Sequence, residues 1–136
     1  MTEPPTLHDR LRRASPADDD PDAADDLGAF GFLRGVKERA VVLDLRFRTG
    51  TRVAFPYTLL ERVSFDPSDG ISLRFLGATV TVRGRNLARL TAAGVSLLDA
   101  LHRHRVPWLA ETDELRAAVK PADAVVITGL ELRDQK

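Results

Sequence analysis

One turn motif organises the chain, Asp66-Pro67-Ser68-Asp69-Gly70, and on both sides of it apolar residues recur at every second position. Proline presets φ at the second position of a turn, and glycine accepts the left-handed conformation just before the following strand. The alternation on either side is typical of half-buried strands. The motif therefore predicts a β-hairpin that joins residues 60–65 to residues 71–75.

The same alternation extends outward in both directions from this hairpin. Residues 41–48 and 52–55 alternate ahead of it, separated by a turn at Gly50, and residues 79–83 alternate after Gly77. Short alternating strands joined by tight turns favour an antiparallel meander. We therefore expect a small four- to five-stranded antiparallel sheet, or a partial barrel, over about residues 40–85.

Beyond residue 85 the apolar period becomes helical. Asn86 is a favourable N-cap, and leucines follow at helical spacing up to Leu101, which predicts a helix over about 86–105 that packs on the sheet. Thr112 and Pro121 bound a short second helix, and the apolar residues 124–128 predict a further edge strand. The expected fold class is α+β.

Charge and composition divide the chain into three parts. Residues 1–26 carry three Arg and eight acidic residues, and residues 15–26 lack any large apolar side chain, which predicts a disordered acidic tail. Residues 34–105 carry thirteen basic and six acidic residues. We expect one α+β domain over residues 27–130 and a short C-terminal tail over 131–136.

The sequence offers little catalytic chemistry. The chain has no Cys, which excludes disulfides, thiolate metal sites and cysteine nucleophiles. His102 and His104 are two apart and diverge on a helix, so they do not share a metal. Phosphate-binding glycine loops and nucleophile-elbow motifs are missing. We expect a protein that is not an enzyme and that has no metal or cofactor.

One basic feature stands out. If the apolar strand residues face inward, alternation directs seven arginines to the opposite face of the sheet. Guanidinium groups bind phosphates through paired hydrogen bonds. The candidate ligand-binding residues are Arg46, Arg48, Arg74, Arg83 and Arg85.

Two hypotheses about function follow. The first is a non-catalytic interaction module that binds another protein or a second copy of itself, with an open strand edge near Ile127 pairing across a dimer. The alternative is a binder of nucleic acid or another anionic ligand that uses the arginine face, with the acidic tail as an autoinhibitory competitor. The sequence has neither a membrane-span run nor a secretory-signal layout, so we expect a cytoplasmic protein without membrane contact.

Overall fold

The computed structural model describes residues 24–35 and 38–134, and it shows an α+β fold, which confirms the expected class. A four-stranded antiparallel sheet has the strand order β5-β6-β7-β9. Its strands are β5 (Leu60–Asp66), β6 (Gly70–Phe75), β7 (Ala78–Arg85) and β9 (Val126–Asp134). The predicted meander therefore forms three of these strands, and the predicted edge strand forms the fourth.

A second sheet has three strands in the order β4-β3-β8. Its strands are β3 (Val42–Arg46), β4 (Arg52–Pro56) and β8 (Trp108–Ala110). β3 and β4 form the hairpin expected around Gly50, whereas β8 runs parallel to β3. The three residues of β8 are too few to produce a periodic pattern, and sequence analysis did not predict this strand.

The turn motif has the expected chemistry. The Asp66 carboxylate accepts a hydrogen bond from the Ser68 N–H at 2.8 Å, and the Asp69 N–H donates to the Asp66 carbonyl. Gly70 has φ +98°, and a Cβ at this position would collide with the Val82 carbonyl of the neighbouring strand. Both the backbone conformation and the close strand contact therefore require glycine at this position.

Both sheets contribute to one hydrophobic core. The fully buried side chains include Leu43 and Leu45 from the three-stranded sheet and Leu73, Phe75 and Val80 from the four-stranded sheet. Phe55 of β4 stacks on Phe75 of β6 with ring centroids 4.6 Å apart. Alternation therefore directs most apolar strand residues inward, as the sequence indicates, although Phe65 near the end of β5 is still 38% exposed.

The segment between β8 and the second helix connects the two sheets. The Glu111 N–H donates to the Arg46 carbonyl, and the Thr112 N–H donates to the Ile127 carbonyl. The two carboxylate oxygens of Glu111 accept the N–H of Arg48 and the N–H of Leu130, each at 3.0 Å. One acidic side chain therefore bonds both sheets at once.

The Ile127 region of β9 differs from the expectation of an open edge. The Ile127 carbonyl and the Leu130 N–H, which belong to this edge strand, are bonded by Thr112 and Glu111 respectively. Pairing of a second copy across this part of the strand would have to replace both hydrogen bonds. The strand edge that was predicted to be open near Ile127 is therefore occupied by these two hydrogen bonds.

The helix predicted over 86–105 is the main correction. Only Leu97–His102 are helical (α1), and residues 87–96 form an irregular segment. Asn86 is not an N-cap: its φ is +61°, and its side-chain amide donates to the carbonyls of Ala122 and Ala124 at 2.9 and 2.7 Å. Ser96 caps α1 instead, accepting a hydrogen bond from the Asp99 N–H.

The C-terminal end of α1 follows from its backbone geometry. His104 has φ +57°, its N–H donates to the Leu101 carbonyl, and the Arg105 N–H donates to the Ala100 carbonyl. This pair of bonds is a Schellman motif, which ends a helix. The helix therefore ends several residues before Pro107.

The predicted second helix is present but shorter. Helix α2 (Glu114–Ala118) is capped by Asp113, whose carboxylate accepts the Arg116 N–H at 2.7 Å.

The predicted boundaries at the two ends of the domain also shift. β9 continues to Asp134, four residues into the predicted C-terminal tail. A short hairpin of β1 (Asp25–Asp26) and β2 (Gly31–Phe32) includes the last two residues of the predicted N-terminal tail. The predicted disorder of residues 1–23 lies outside the described residues.

We expect Asn86→Ala to lower the free energy of unfolding by about 2–4 kcal/mol, because it removes two hydrogen bonds and places alanine at a left-handed φ. Asn86→Gly keeps the conformation accessible and should cost less than Asn86→Ala. Unfolding curves in urea give the free energy of unfolding of both variants. Leu90→Ala, at a side chain 67% exposed, is the control. Equal losses in the two Asn86 variants would contradict a role for the backbone conformation.

We expect Glu111→Gln to lower the free energy of unfolding by about 1–3 kcal/mol, because an amide oxygen and an amide nitrogen cannot both accept the N–H groups of Arg48 and Leu130. Glu114→Gln, at an exposed position, is the matched control and should stay within about 0.5 kcal/mol of the wild type. Unfolding curves in urea at neutral pH give both values.

Candidate functional site

The structure separates the five candidate arginines into three locations. Arg46 lies at the end of β3 in the three-stranded sheet and Arg48 just beyond it, whereas Arg74 and Arg83 lie in the four-stranded sheet. Arg85 ends β7, and its guanidinium donates to the Ala117 carbonyl of α2 at 2.8 Å. The five side chains therefore do not form one ligand-binding face. The sequence pattern predicts one meander that holds all five, but its strands divide between two sheets.

The arginines of the three-stranded sheet are engaged by their neighbours. Arg46 donates to the Asp44 carboxylate at 3.2 Å, and Arg52 bonds the same carboxylate. The Arg46 guanidinium carbon also lies 4.6 Å from the ring centroid of Trp108. Partial burial raises the pKa of Asp44, but the hydrogen bonds from Arg52 and Arg46 outweigh it and hold this pKa below its usual value. This cluster has the features of a structural ion-pair network.

The outer face of the four-stranded sheet carries a different arrangement. Arg62 of β5 is directly opposite Arg74 of β6, Arg74 is opposite Thr79 of β7, and Thr79 is opposite Arg133 of β9. All three arginines are exposed. We call Arg62, Arg74 and Arg133 the arginine row. Alternation directs Arg62 outward as well, although it is not among the five candidate residues, and Arg133 lies in the segment predicted to be the C-terminal tail.

A carboxylate lies beside the arginine row. Glu131 accepts a hydrogen bond from Arg83 at 2.8 Å through one oxygen and from Arg133 at 3.0 Å through the other. The hydrogen bond from Arg83 and the positive charges of Arg83 and Arg133 hold the pKa of Glu131 below its usual value. This carboxylate is therefore ionised at neutral pH.

An apolar groove lies on another part of the surface. It has a volume of about 650 Å³. Its lining includes Leu27 and Ala29 from the first hairpin, Val125 and Ile127, and Val119 directly after α2. Basic side chains from α2 and from the residues after it, Arg116 and Lys120, also line it.

Two large apolar side chains project from the α2 segment beside the groove. Leu115 and Val119 are 83% and 82% exposed. Residues four apart lie on the same side of a helix, so the two form one apolar ridge. The sequence does not indicate this surface, because its parts lie far apart in the chain and no local pattern predicts the first hairpin.

Of the two histidines near the end of α1, His104 packs against the fold. The His104 ring stacks on the Tyr57 ring with centroids 4.6 Å apart, and the Tyr57 hydroxyl donates to the Val106 carbonyl at 2.6 Å. Burial raises the pKa of Tyr57, whereas burial and the nearby Arg39 charge lower the pKa of His104. His102 is exposed at the end of α1.

Two further findings concern site classes. Within residues 24–35 and 38–134, no group of three or more His, Asp or Glu side chains is placed to hold a metal ion. The helices of this same part of the chain are all too short or too polar to span a bilayer.

Comparisons with protein-family models, with curated proteins and with solved structures found no match to this chain.

We expect the folded protein to lose stability as the pH falls below about 6.5, because the unfolded chain binds a proton at His104 that the folded chain resists. His104→Asn removes this titration while keeping a residue that tolerates a left-handed φ. The unfolding free energy of this variant should therefore depend less on pH than that of the wild type between about pH 7.5 and pH 5. Parallel pH profiles of the two proteins would contradict the assignment.

Proposed function

We propose that this protein is a non-catalytic interaction module that associates with a second copy of itself through the apolar groove and the ridge of Leu115 and Val119. The observation that carries the proposal is the position of the ridge directly beside the groove. A two-fold interface requires a surface that is complementary to itself. In such a dimer, the ridge of each copy enters the groove of the other.

The charges around α2 support the same arrangement. Asp113 and Glu114 stand at the start of the helix, and Arg116 and Lys120 stand toward and beyond its end. Two copies of α2 related by a two-fold axis across the helix run antiparallel, so the acidic start of one faces the basic end of the other. Within the described part of the chain, neither the Glu114 carboxylate nor the Lys120 ammonium makes an ion pair. Both are therefore available to a second copy.

The exposure of the ridge also favours an interface. Isolated apolar side chains on a surface are common, but an apolar pair beside an apolar groove forms a patch of the kind that marks interaction sites. Other strongly exposed apolar side chains, such as Leu76 and Leu90, lie in loops or turns and do not border this groove.

The proposal also includes the cytoplasmic location that the sequence leads us to expect.

Sedimentation velocity of the full chain over a range of protein concentrations tests the proposal. We expect a concentration-dependent monomer–dimer equilibrium in the wild type. Leu115→Glu and Val119→Glu should each shift it toward monomer by about tenfold or more, since each buries a charge twice per dimer. Leu76→Glu, at a side chain 64% exposed, is the matched control and should dimerise like the wild type.

A charge exchange at α2 tests the relative orientation of the two copies. Glu114→Lys and Lys120→Glu should each weaken the dimer by a few-fold, because each places like charges together at two symmetric positions. The double variant should recover the affinity of the wild type. A monomer at every concentration, or a dimer that Leu115→Glu and Val119→Glu leave unchanged, would overturn the proposal.

A further inference from the structure

We infer that the outer face of the four-stranded sheet is a second binding surface, on which the arginine row binds the phosphodiester backbone of nucleic acid. This surface and its ligand class are independent of the groove and of self-association. The charge pattern of the row itself favours a bound anion. Like charges directly opposite each other on neighbouring strands repel, and Arg62 and Arg74 are such a pair.

The charges of the described residues offset this repulsion only in part. The Arg62 side chain makes no ion pair within the described part of the chain. The nearest approach of Arg74 to a carboxylate is 3.9 Å, to Glu61, and both of these side chains are more than half exposed. Arg133 shares the Glu131 carboxylate with Arg83. The row therefore retains net positive charge that a bound anion would neutralise.

The geometry of the row suits an extended anion. Neighbouring strands are about 4.8 Å apart, so the row extends for about 14 Å from β5 to β9. A single phosphate group reaches only one or two of these guanidinium groups, whereas a chain of phosphates reaches all three. A linear polyanion therefore fits the row better than a small anion does.

The other side chains of this face indicate what kind of polyanion it is. The positions between and beside the arginines carry small hydroxyl side chains: Ser64, Ser72, Thr79 and Thr81. Hydroxyl groups donate to phosphate oxygens. The two paired sets of outward positions, Arg62–Arg74–Thr79–Arg133 and Ser64–Ser72–Thr81–Glu131, carry no large apolar side chain that could insert into a lipid bilayer. A nucleic acid backbone is the ligand class that matches.

The same composition predicts the mode of binding. These outward positions also carry no aromatic side chain on which a base could stack. Binding would therefore rest on contacts with the backbone, without base preference. Its affinity should fall steeply with salt, with a slope of log K against log salt of about −2 for three contacts to a single strand.

Glu131 provides a distinctive test, because its carboxylate occupies two guanidinium groups that would otherwise be free to meet phosphate. Glu131→Gln removes this competing charge. A face that binds phosphates should bind more tightly after this substitution, by several-fold at low salt. A purely structural role for the Glu131 ion pairs predicts no such gain.

Fluorescence anisotropy measures the binding. A labelled single-stranded oligonucleotide of mixed sequence is titrated with the full chain at several salt concentrations. Arg62→Gln, Arg74→Gln and Arg133→Gln should each weaken it and reduce the salt slope by about 0.7. Arg48→Gln and Arg103→Gln are matched controls at exposed arginines outside the row and should leave the affinity unchanged. Circular dichroism checks that every variant is folded.

The proposal is overturned if the wild type does not bind at low salt, or if the row variants bind as tightly as the two controls. It is also overturned if Glu131→Gln fails to bind more tightly. A parallel titration with heparin tests a polyanion that carries sulfate groups in place of phosphate. If heparin binds and the oligonucleotide does not, the ligand class is wrong. Because Leu115 and Val119 are not part of this face, their variants separate this result from self-association.

Discussion

The carboxylate of Glu111 bonds two sheets that have no strand in common. One oxygen holds the Arg48 N–H just beyond β3, and the other holds the Leu130 N–H of β9. The backbone on either side continues the connection, since Glu111 and Thr112 donate to one carbonyl in each sheet. The buried faces of the two sheets meet in one core beneath this contact. Both candidate surfaces depend on it, because the groove includes residues 110–112 and the arginine row includes the end of β9.

The local parts of the fold could be predicted from the sequence, and the long-range parts could not. The β5–β6 hairpin and its turn, the β3–β4 hairpin and the apolar edge strand follow from period-two alternation and from glycine at the turns. The prediction of a long helix over residues 86–105 was wrong, because leucines at helical spacing do not show where the backbone is hydrogen-bonded. Asn86 takes a left-handed conformation and bonds two carbonyls of the segment 122–124, so the chain turns at Asn86, and the helix begins only at Leu97.

The same difference between local and long-range structure explains why the five candidate arginines do not form one ligand-binding face. Alternation correctly places Arg74 and Arg83 on an outward face, but it does not state which strands share a sheet. Arg46 is therefore separated from them and packs against Trp108, whose strand pairs in parallel with β3. Arg133 joins the arginine row only through the register of β9 with β7. The groove combines the first hairpin with residues from beyond β8, a combination that no local pattern indicates.

The parallel pairing of β3 with β8 has a consequence for the order of folding. The hydrogen bond between Arg48 and Glu111 spans 63 residues, and the whole β5–β6–β7 meander lies between its two ends. Closing so long a loop costs chain entropy before any contact compensates for it, whereas the meander forms through neighbouring segments. We therefore expect the meander to form first and β8, Glu111 and β9 to join it late in the folding reaction. Substitutions at Glu111 should accordingly act mainly on the rate of unfolding and little on the rate of folding.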